Sequence, residues 1–182
     1  YHMWLYGIGP KDVDGVTRLL DDVNISIEHR EDGVQHMILN GKDVTGELRT
    51  PEMSRYASGV SSLPVVRAFL LDMQRQLARE HSVVMDGRDI GTVVLPGADV
   101  KIFLTASPEQ RAQRRYLELT AKGEQTTLAK VLDEMQKRDK QDSTRACAPL
   151  KPAKDAVLLD TSKLDVEQSA QRILEIIREK LA

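Results

Sequence analysis

From residue 82 to the C-terminus, short apolar runs alternate with stretches whose apolar residues recur at helical spacing, and this pattern constrains the fold more than any other. Residues 82–85, 99–104 and 156–159 read as strands. Between the second and third, Ser107 with Gln110 spells a capping box, Pro108 occupies the first helical position and Gly123 supplies a left-handed stop. Leu128, Val131, Leu132 and Met135 mark the next helix, and Val166, Ala170, Ile173, Leu174, Ile177 and Leu181 the last. Strands alternating with amphipathic helices predict an α/β fold with a parallel sheet covered on both sides.

The first part of the chain carries a different pattern. Asp12 is placed to cap a short helix bearing Val13, Val16, Leu19, Leu20 and Val23. Residues 24–30 then alternate, with Ile25 and Ile27 on one face, Asp32-Gly33 supplies a turn, and residues 34–39 run back. A small antiparallel unit is expected there, followed by a helix that Leu63-Pro64 opens. Tyr1, Trp4 and Leu5 read as helix packing.

A length of 182 residues fits one ordinary domain with a real core. Hydrophobic residues at 41% and charged residues at 30% fit a globular chain, and no apolar run approaches the roughly 18 residues of a membrane span. With a formal charge of −2 the chain has no global attraction to nucleic acid, so phosphate recognition must come from locally grouped arginines and the partner is expected to be small. Cys147, the single cysteine, excludes an internal disulfide and is expected to be a small buried side chain in a reducing compartment. The four histidines show no metal-ligand spacing. The opening Tyr1-His2-Met3-Trp4 lacks the charged stretch and cleavage site of a secretory signal, and reads as the middle of a longer cytoplasmic chain.

Four groups of residues carry candidate chemistry. Asp86-Gly87-Arg88-Asp89 directly follows the first apolar run, at the strand end where open α/β sheets bind ligands. An acid there can hold the water shell of Mg²⁺, and an arginine can grip phosphate with both arms. Arg138, Asp142 and Arg145, spaced i, i+4 and i+7, share a helix face that continues the stripe of Leu128, Val131, Leu132 and Met135. A core stripe that turns charged should border a cavity for an anionic or polyol ligand, because buried charge without partners is costly. Ser58, in a loop, and Arg67 flank the helix start at Pro64, and Arg111, Arg114 and Arg115 form a basic helix behind Ser107. Each group also has a bland alternative: a charged turn, an Arg138–Asp142 pair on a solvated helix end, or ordinary surface residues.

Longer blocks narrow the choice. Leu39-Asn40-Gly41-Lys42-Asp43-Val44-Thr45-Gly46-Glu47-Leu48-Arg49-Thr50 closely resembles the insert that marks bacterial cytidylate kinases among nucleoside monophosphate kinases. Leu63-Pro64-Val65-Val66-Arg67 is similar to a second block of that family. So are Val83-Val84-Met85-Asp86-Gly87-Arg88-Asp89-Ile90-Gly91-Thr92-Val93-Val94 and the run from Arg138-Asp139 through Asp142 and Arg145 to Ala148-Pro149-Leu150. The resemblance spans essentially the whole chain. It implies a phosphate-loop kinase fold with a five-stranded parallel sheet ordered 2-3-1-4-5, a monophosphate-binding insert at 24–62 and a lid at 107–127. It further implies transfer of the terminal phosphate of ATP, as its Mg²⁺ complex, to CMP or dCMP by a cytoplasmic monomer that binds neither nucleic acid nor membrane.

By position, the resemblance sets Ser58, Arg67 and Asp89 at the cytosine edge, where Asp89 would accept from the exocyclic amine that uracil lacks. Arg88 and Arg145 would hold the CMP phosphate, Arg138 and Asp142 the ribose hydroxyls, and Arg114 the ATP phosphates in the transition state. Asp86 would sit near Mg²⁺ through water.

One family feature has no counterpart in residues 1–182. The Gly-rich phosphate loop that runs from the first strand into a helix is missing, and the lone Gly-Lys pair, Gly41-Lys42, is followed by Asp43 in the antiparallel insert. The first strand of the implied sheet lies between the strands at 82–85 and 99–104. Without it two strand edges lose their partners, at about 1–3 kcal/mol for each orphaned group against net stabilities of about 5–15 kcal/mol. The expectation is therefore that the chain belongs to a longer kinase with a preceding segment. The alternative is a noncatalytic fragment that retains only the CMP half-site.

Overall fold

The computed structural model describes all residues from Tyr1 to Ala182, and the chain forms two compact units, Tyr1–Ser82 and Val83–Ala182. In the first, α1 (His2–Leu5) and α2 (Val13–Leu20) precede three short strands, β1 (Ile25–His29), β2 (Gln35–Leu39) and β3 (Lys42–Asp43). Helices α3 (Pro51–Val60) and α4 (Pro64–Glu80) complete it. Asp12 caps α2 as expected, its carboxylate accepting from the Gly15 amide at 2.9 Å. Pro64 opens α4.

The antiparallel unit forms in register, with Ile25 opposite Leu39 and His29 opposite Gln35. Its turn closes through the Gly33 amide on the Arg30 carbonyl and the Val34 amide on the Asp32 carboxylate. The sequence reading left β3 out. Asn40-Gly41, with φ of 50° and 79°, turns β2 into β3 in the two-residue geometry that needs positive φ at both central positions. That Asn-Gly pair was the available signal. Met3, Val16, Leu20 and Val66 form the buried core, with Ile8, Tyr56, Val60 and Phe69 packed against it.

In the second unit, β4 (Ile102–Thr105) and β5 (Val157–Asp160) pair in parallel, with Ile102 opposite Val157 and Thr105 opposite Asp160. A parallel pair needs a long crossover. Here it is made by α5 (Pro108–Ala121) and α6 (Leu128–Thr144), while α7 (Val166–Leu181) follows β5. Ala112, Val131, Leu159 and Ile176 are buried. Gly123 ends α5 at φ 81°, and the Gly123 and Glu124 amides donate to the Thr120 and Leu119 carbonyls, the paired closure that a left-handed residue permits.

Several expectations are corrected. Residues 82–86 form no strand; Val84 is 98% exposed, because the segment meets no backbone ladder in this chain. The parallel sheet within residues 1–182 accordingly pairs two of the three runs read as strands, and Leu104 and Leu158 remain exposed on it. The strand expected at 99–104 occupies Ile102–Thr105. The capping box at Ser107 is only half made. Its hydroxyl accepts from the Gln110 amide, but the Ser107 amide donates to the Ser162 hydroxyl at 2.8 Å, leaving nothing for the Gln110 side chain to cap. Cys147 is exposed, since it lies in the turn after α6 instead of on a packed face.

Candidate functional site

Asp89 opens the structural account of the site. Its backbone carbonyl accepts from the Thr92, Val93 and Val94 amides at 3.2, 2.8 and 3.3 Å, and Ile90–Val94 forms a single wide turn closed by the Leu95 amide on the Ile90 carbonyl. One-turn i→i+5 helices recur at functional sites because they redirect a side chain within a short span. Here the turn holds Asp89 with only 7% of its surface exposed.

The other half comes from the end of α6. Asp142 and Val131 are the buried residues of that helix, eleven positions and about three turns apart, so the apolar stripe does become charged. Arg138 and Asp142 share the helix as expected. Arg145 does not: the helix stops at Thr144, and Arg145 has extended backbone at φ −62° and ψ 141°. The chain then folds back, with the Leu150 amide donating to the Asp142 carbonyl and Arg145 Nε to the Ala148 carbonyl, at 2.8 and 2.7 Å. Ala148 takes a left-handed φ of 48°, a conformation costing roughly 1–2 kcal/mol without glycine. Strain of this kind collects where the chain must aim a side chain.

Five of the residues named from sequence converge. Arg88 Nε donates to Asp142 Oδ2 at 2.9 Å, and Arg138 Nε stands 3.9 Å from the same oxygen. Arg145 reaches Asp89 Oδ1 at 3.5 Å through Nη2 and Asp142 Oδ1 at 3.9 Å through Nη1. Three guanidinium groups thus surround two carboxylates, leaving one positive charge uncompensated within the cluster. Arg145, with 11% of its side chain exposed, has no hydrogen-bond partner at Nη2; the Asp89 contact supplies charge but not bonding geometry. An unbonded buried donor costs about 1–3 kcal/mol, which an oxygen-rich anion can recover.

Asp86 is exposed ahead of the turn. Arg114 is tied to the β5–α7 connection, its Nη2 donating to the Thr161 and Leu164 carbonyls at 2.6 and 2.9 Å and its Nη1 to the Thr161 hydroxyl at 3.3 Å. Arg111 forks onto Asp139 with 3.1 and 2.5 Å contacts and joins α5 to α6, a pairing the sequence reading did not propose. Hydrogen bonding to Asp139 holds Arg111 above the usual arginine range. In the first unit Ser58 sits within α3 and not in a loop, because Thr50 and Pro51 start that helix early enough to include it. Arg67, on α4, donates to the Ser61 carbonyl at 3.4 Å. Gly41 lies in the β2–β3 turn and Lys42 is the first residue of β3.

Comparison with known proteins identifies the family of the chain. The family model described as cytidylate kinase matches residues 1–179. The chain belongs to the cytidylate kinase family. It is 47% identical to the cytidylate kinase of Caldicellulosiruptor bescii over 93% of this chain and 74% of that protein. It is 52% identical to that of Thermosipho melanesiensis over 80% and 67% of the two chains, and 44% identical to that of Pseudomonas putida over 96% and 77%. Family membership makes the protein a kinase with an α/β fold. None of its helices is long and apolar enough to cross a membrane.

Proposed function

We propose that this protein transfers the terminal phosphoryl group of ATP to CMP and dCMP, and that the cluster around Asp142 is its monophosphate site. The observation that carries the reading is Arg145: a buried guanidinium with an unbonded nitrogen, beside two carboxylates and a second arginine, in a chain of this family. Arg145 and Arg88 would bind the CMP phosphate, trading carboxylate contacts for phosphate oxygens. Arg138 and Asp142 would take the ribose hydroxyls. Asp89 would accept from the cytosine amine; an accepting group there would face the carbonyl of uracil, and mismatched buried polar groups discriminate strongly.

A CMP phosphate oxygen attacks the terminal phosphorus of ATP, the bond to the ADP oxygen breaks, and ADP leaves. The acceptor is already anionic at neutral pH, so no general base is required; catalysis rests on alignment and charge stabilisation. MgATP is the second substrate. Asp86 is proposed to meet its Mg²⁺ through water, which suits an ion that keeps most of its ligands as waters and phosphate oxygens. Ser58 and Arg67 enter as base contacts through the resemblance alone, as do the insert at 24–62 and the lid at 107–127. Arg114 would reach the ATP phosphates only by giving up its Thr161 and Leu164 oxygens, a change suited to a lid that moves on binding. The proposed setting is a cytoplasmic monomer.

The alternative of a noncatalytic fragment gains no support from the relatives described above, each a cytidylate kinase by name. The test is a coupled assay of ADP formation with CMP and UMP, together with calorimetry of CMP. CMP is expected to bind and to be the better acceptor, and Asp89→Ala should lower the CMP-to-UMP ratio of kcat/KM by about tenfold or more. Absence of CMP binding would overturn the assignment, and an unchanged ratio in the variant would remove Asp89 from base reading.

A further inference from the structure

Asp89 and Arg145 are carried by loops 56 positions apart in sequence, one shaped by the wide turn at Ile90–Val94 and the other by the fold-back through Ala148 to Leu150. Something must hold the two loops in register. Lys101, at the foot of β4, is the side chain that touches both. Only 8% of it is exposed, unusual for a lysine. Its Nζ donates to the Pro96 carbonyl, at the exit of the wide turn, and forms a 2.6 Å ion pair with Asp155 in the segment that runs from Leu150 into β5. Its methylene stem fills the space beside Gly91, inside the turn. A side chain added at Gly91 would stand 3.4 Å from Lys101 Cδ and 3.7 Å from Ala153 Cβ, so turn, lysine and the 150–155 segment form one layer. The Lys101 carbonyl also receives the Val157 amide at 2.9 Å, which starts the β4–β5 ladder.

We infer that Lys101 is a positioning residue for the monophosphate site: it staples the loop that aims Asp89 to the segment behind Arg145 and thereby sets their 3.5 Å separation. The polar partners of Lys101 are the Pro96 carbonyl and Asp155, so its effect passes through placement of the segments that carry the site. The inference rests on the function proposed above for Asp89 and Arg145, but the staple itself is a property of the fold. A buried ammonium bonded to one carbonyl and one carboxylate has directional demands that an apolar side chain of equal length lacks. Displacing a binding group by an ångström can cost about a hundredfold in rate, which gives a distant staple its leverage.

Lys101→Met keeps most of the stem and removes the ammonium. Hydrogen exchange should quicken at the Val93 and Leu150 amides, whose acceptors are the Asp89 and Asp142 carbonyls, while amides within α7 keep their protection. In steady-state assays KM for CMP should rise by about tenfold or more, with a smaller change in kcat, and the CMP-to-UMP ratio should fall. Should Lys101→Met not fold, Asp155→Asn serves instead, since Asp155 is 65% exposed and its change leaves the lysine in place; the same shifts are expected, reduced in size. Unchanged exchange at Val93 and Leu150 would overturn the staple. Faster exchange with an unchanged KM and CMP-to-UMP ratio would reduce Lys101 to a structural residue and overturn the positioning role. A wild-type protein that does not distinguish CMP from UMP would count against the base-reading assignment, while the exchange result still decides the staple.

Discussion

Two charged clusters in this protein use the same chemistry to opposite ends. In the first unit His36 bridges two carboxylates, Nδ1 to Asp43 at 2.7 Å and Nε2 to Asp32 at 2.9 Å, and Arg30 joins them through Asp43 and Glu28. Asp43 also accepts from the Thr45 amide and hydroxyl. Both nitrogens of His36 have partners and the carboxylates stand near water, so the cluster is complete as folded. In the second unit Asp89, Asp142 and Arg145 are more deeply buried, and one donor of Arg145 has no bond. The satisfied cluster fastens a hairpin; the unsatisfied one keeps a donor that the oxygen of an anion can meet. Hydrogen bonds left over in a buried site are more informative than charge itself, because the fold gains nothing from leaving them so.

The contrast can be broken most forcefully at Asp142. Replacing it by alanine leaves Arg145 buried beside Asp89 alone and should destabilise the second unit by about 3 kcal/mol, read as a lower urea midpoint for probes in that unit. Arg145→Ala should be felt first in activity: kcat/KM for CMP falls by at least about a hundredfold, equivalent to about 2.7 kcal/mol, while the urea midpoint falls by less than in Asp142→Ala, because an unmet donor leaves with the charge even as Asp89 and the Ala148 carbonyl lose a contact. If Arg145→Ala lowers the urea midpoint as far as Asp142→Ala and leaves kcat/KM for CMP unchanged, the two clusters do not differ in kind.

Arg111 offers an intermediate case, since its pair with Asp139 is about one-third exposed on both sides. Arg111→Lys, which loses the fork, should cost no more than about 1 kcal/mol. The smallest effect is expected at His36. Its pKa is raised, first by the hydrogen bond to Asp32 and then by that to Asp43, so its contribution is fully present below the ordinary histidine value and is lost as pH climbs through the raised one. Asp32 and Asp43 are held low, chiefly by the Val34 amide and the Thr45 hydroxyl respectively, so their contributions are present above the usual aspartate range and lost as pH falls through the depressed values. Protection of the Met37 amide, which donates to the Thr45 hydroxyl, should therefore be greatest in mildly acidic solution and decline toward alkaline pH. His36→Gln should flatten the alkaline decline.

Legibility in the sequence followed the distance to each hydrogen-bond partner. The Asp12 cap, the β1–β2 hairpin, the Pro64 helix start and the Gly123 stop were readable because donor and acceptor lie close along the chain. The run at 82–85 is apolar enough for a strand, but a strand exists only against a neighbour, and composition cannot supply one. The charged stripe on α6 was visible as a pattern, and the family blocks named five residues that do come together. The escape of Arg145 from the helix and the left-handed Ala148 that follows were not, because a non-glycine left-handed residue is held by its surroundings and leaves no compositional mark.

By itself, then, the sequence determined most of the local elements and the kinship to the cytidylate kinases, and it supplied the residues proposed to meet phosphate and base. Tertiary structure alone decided that Arg88, Asp89, Arg138, Asp142 and Arg145 share one cluster, that Arg114 is bound to the β5–α7 connection, and that Lys101 lies between two loops. The physical reason is the range of the forces involved. Caps, turns and helical periodicity act within a few residues, whereas burial and charge pairing bring together groups that the chain separates by 47 to 56 positions.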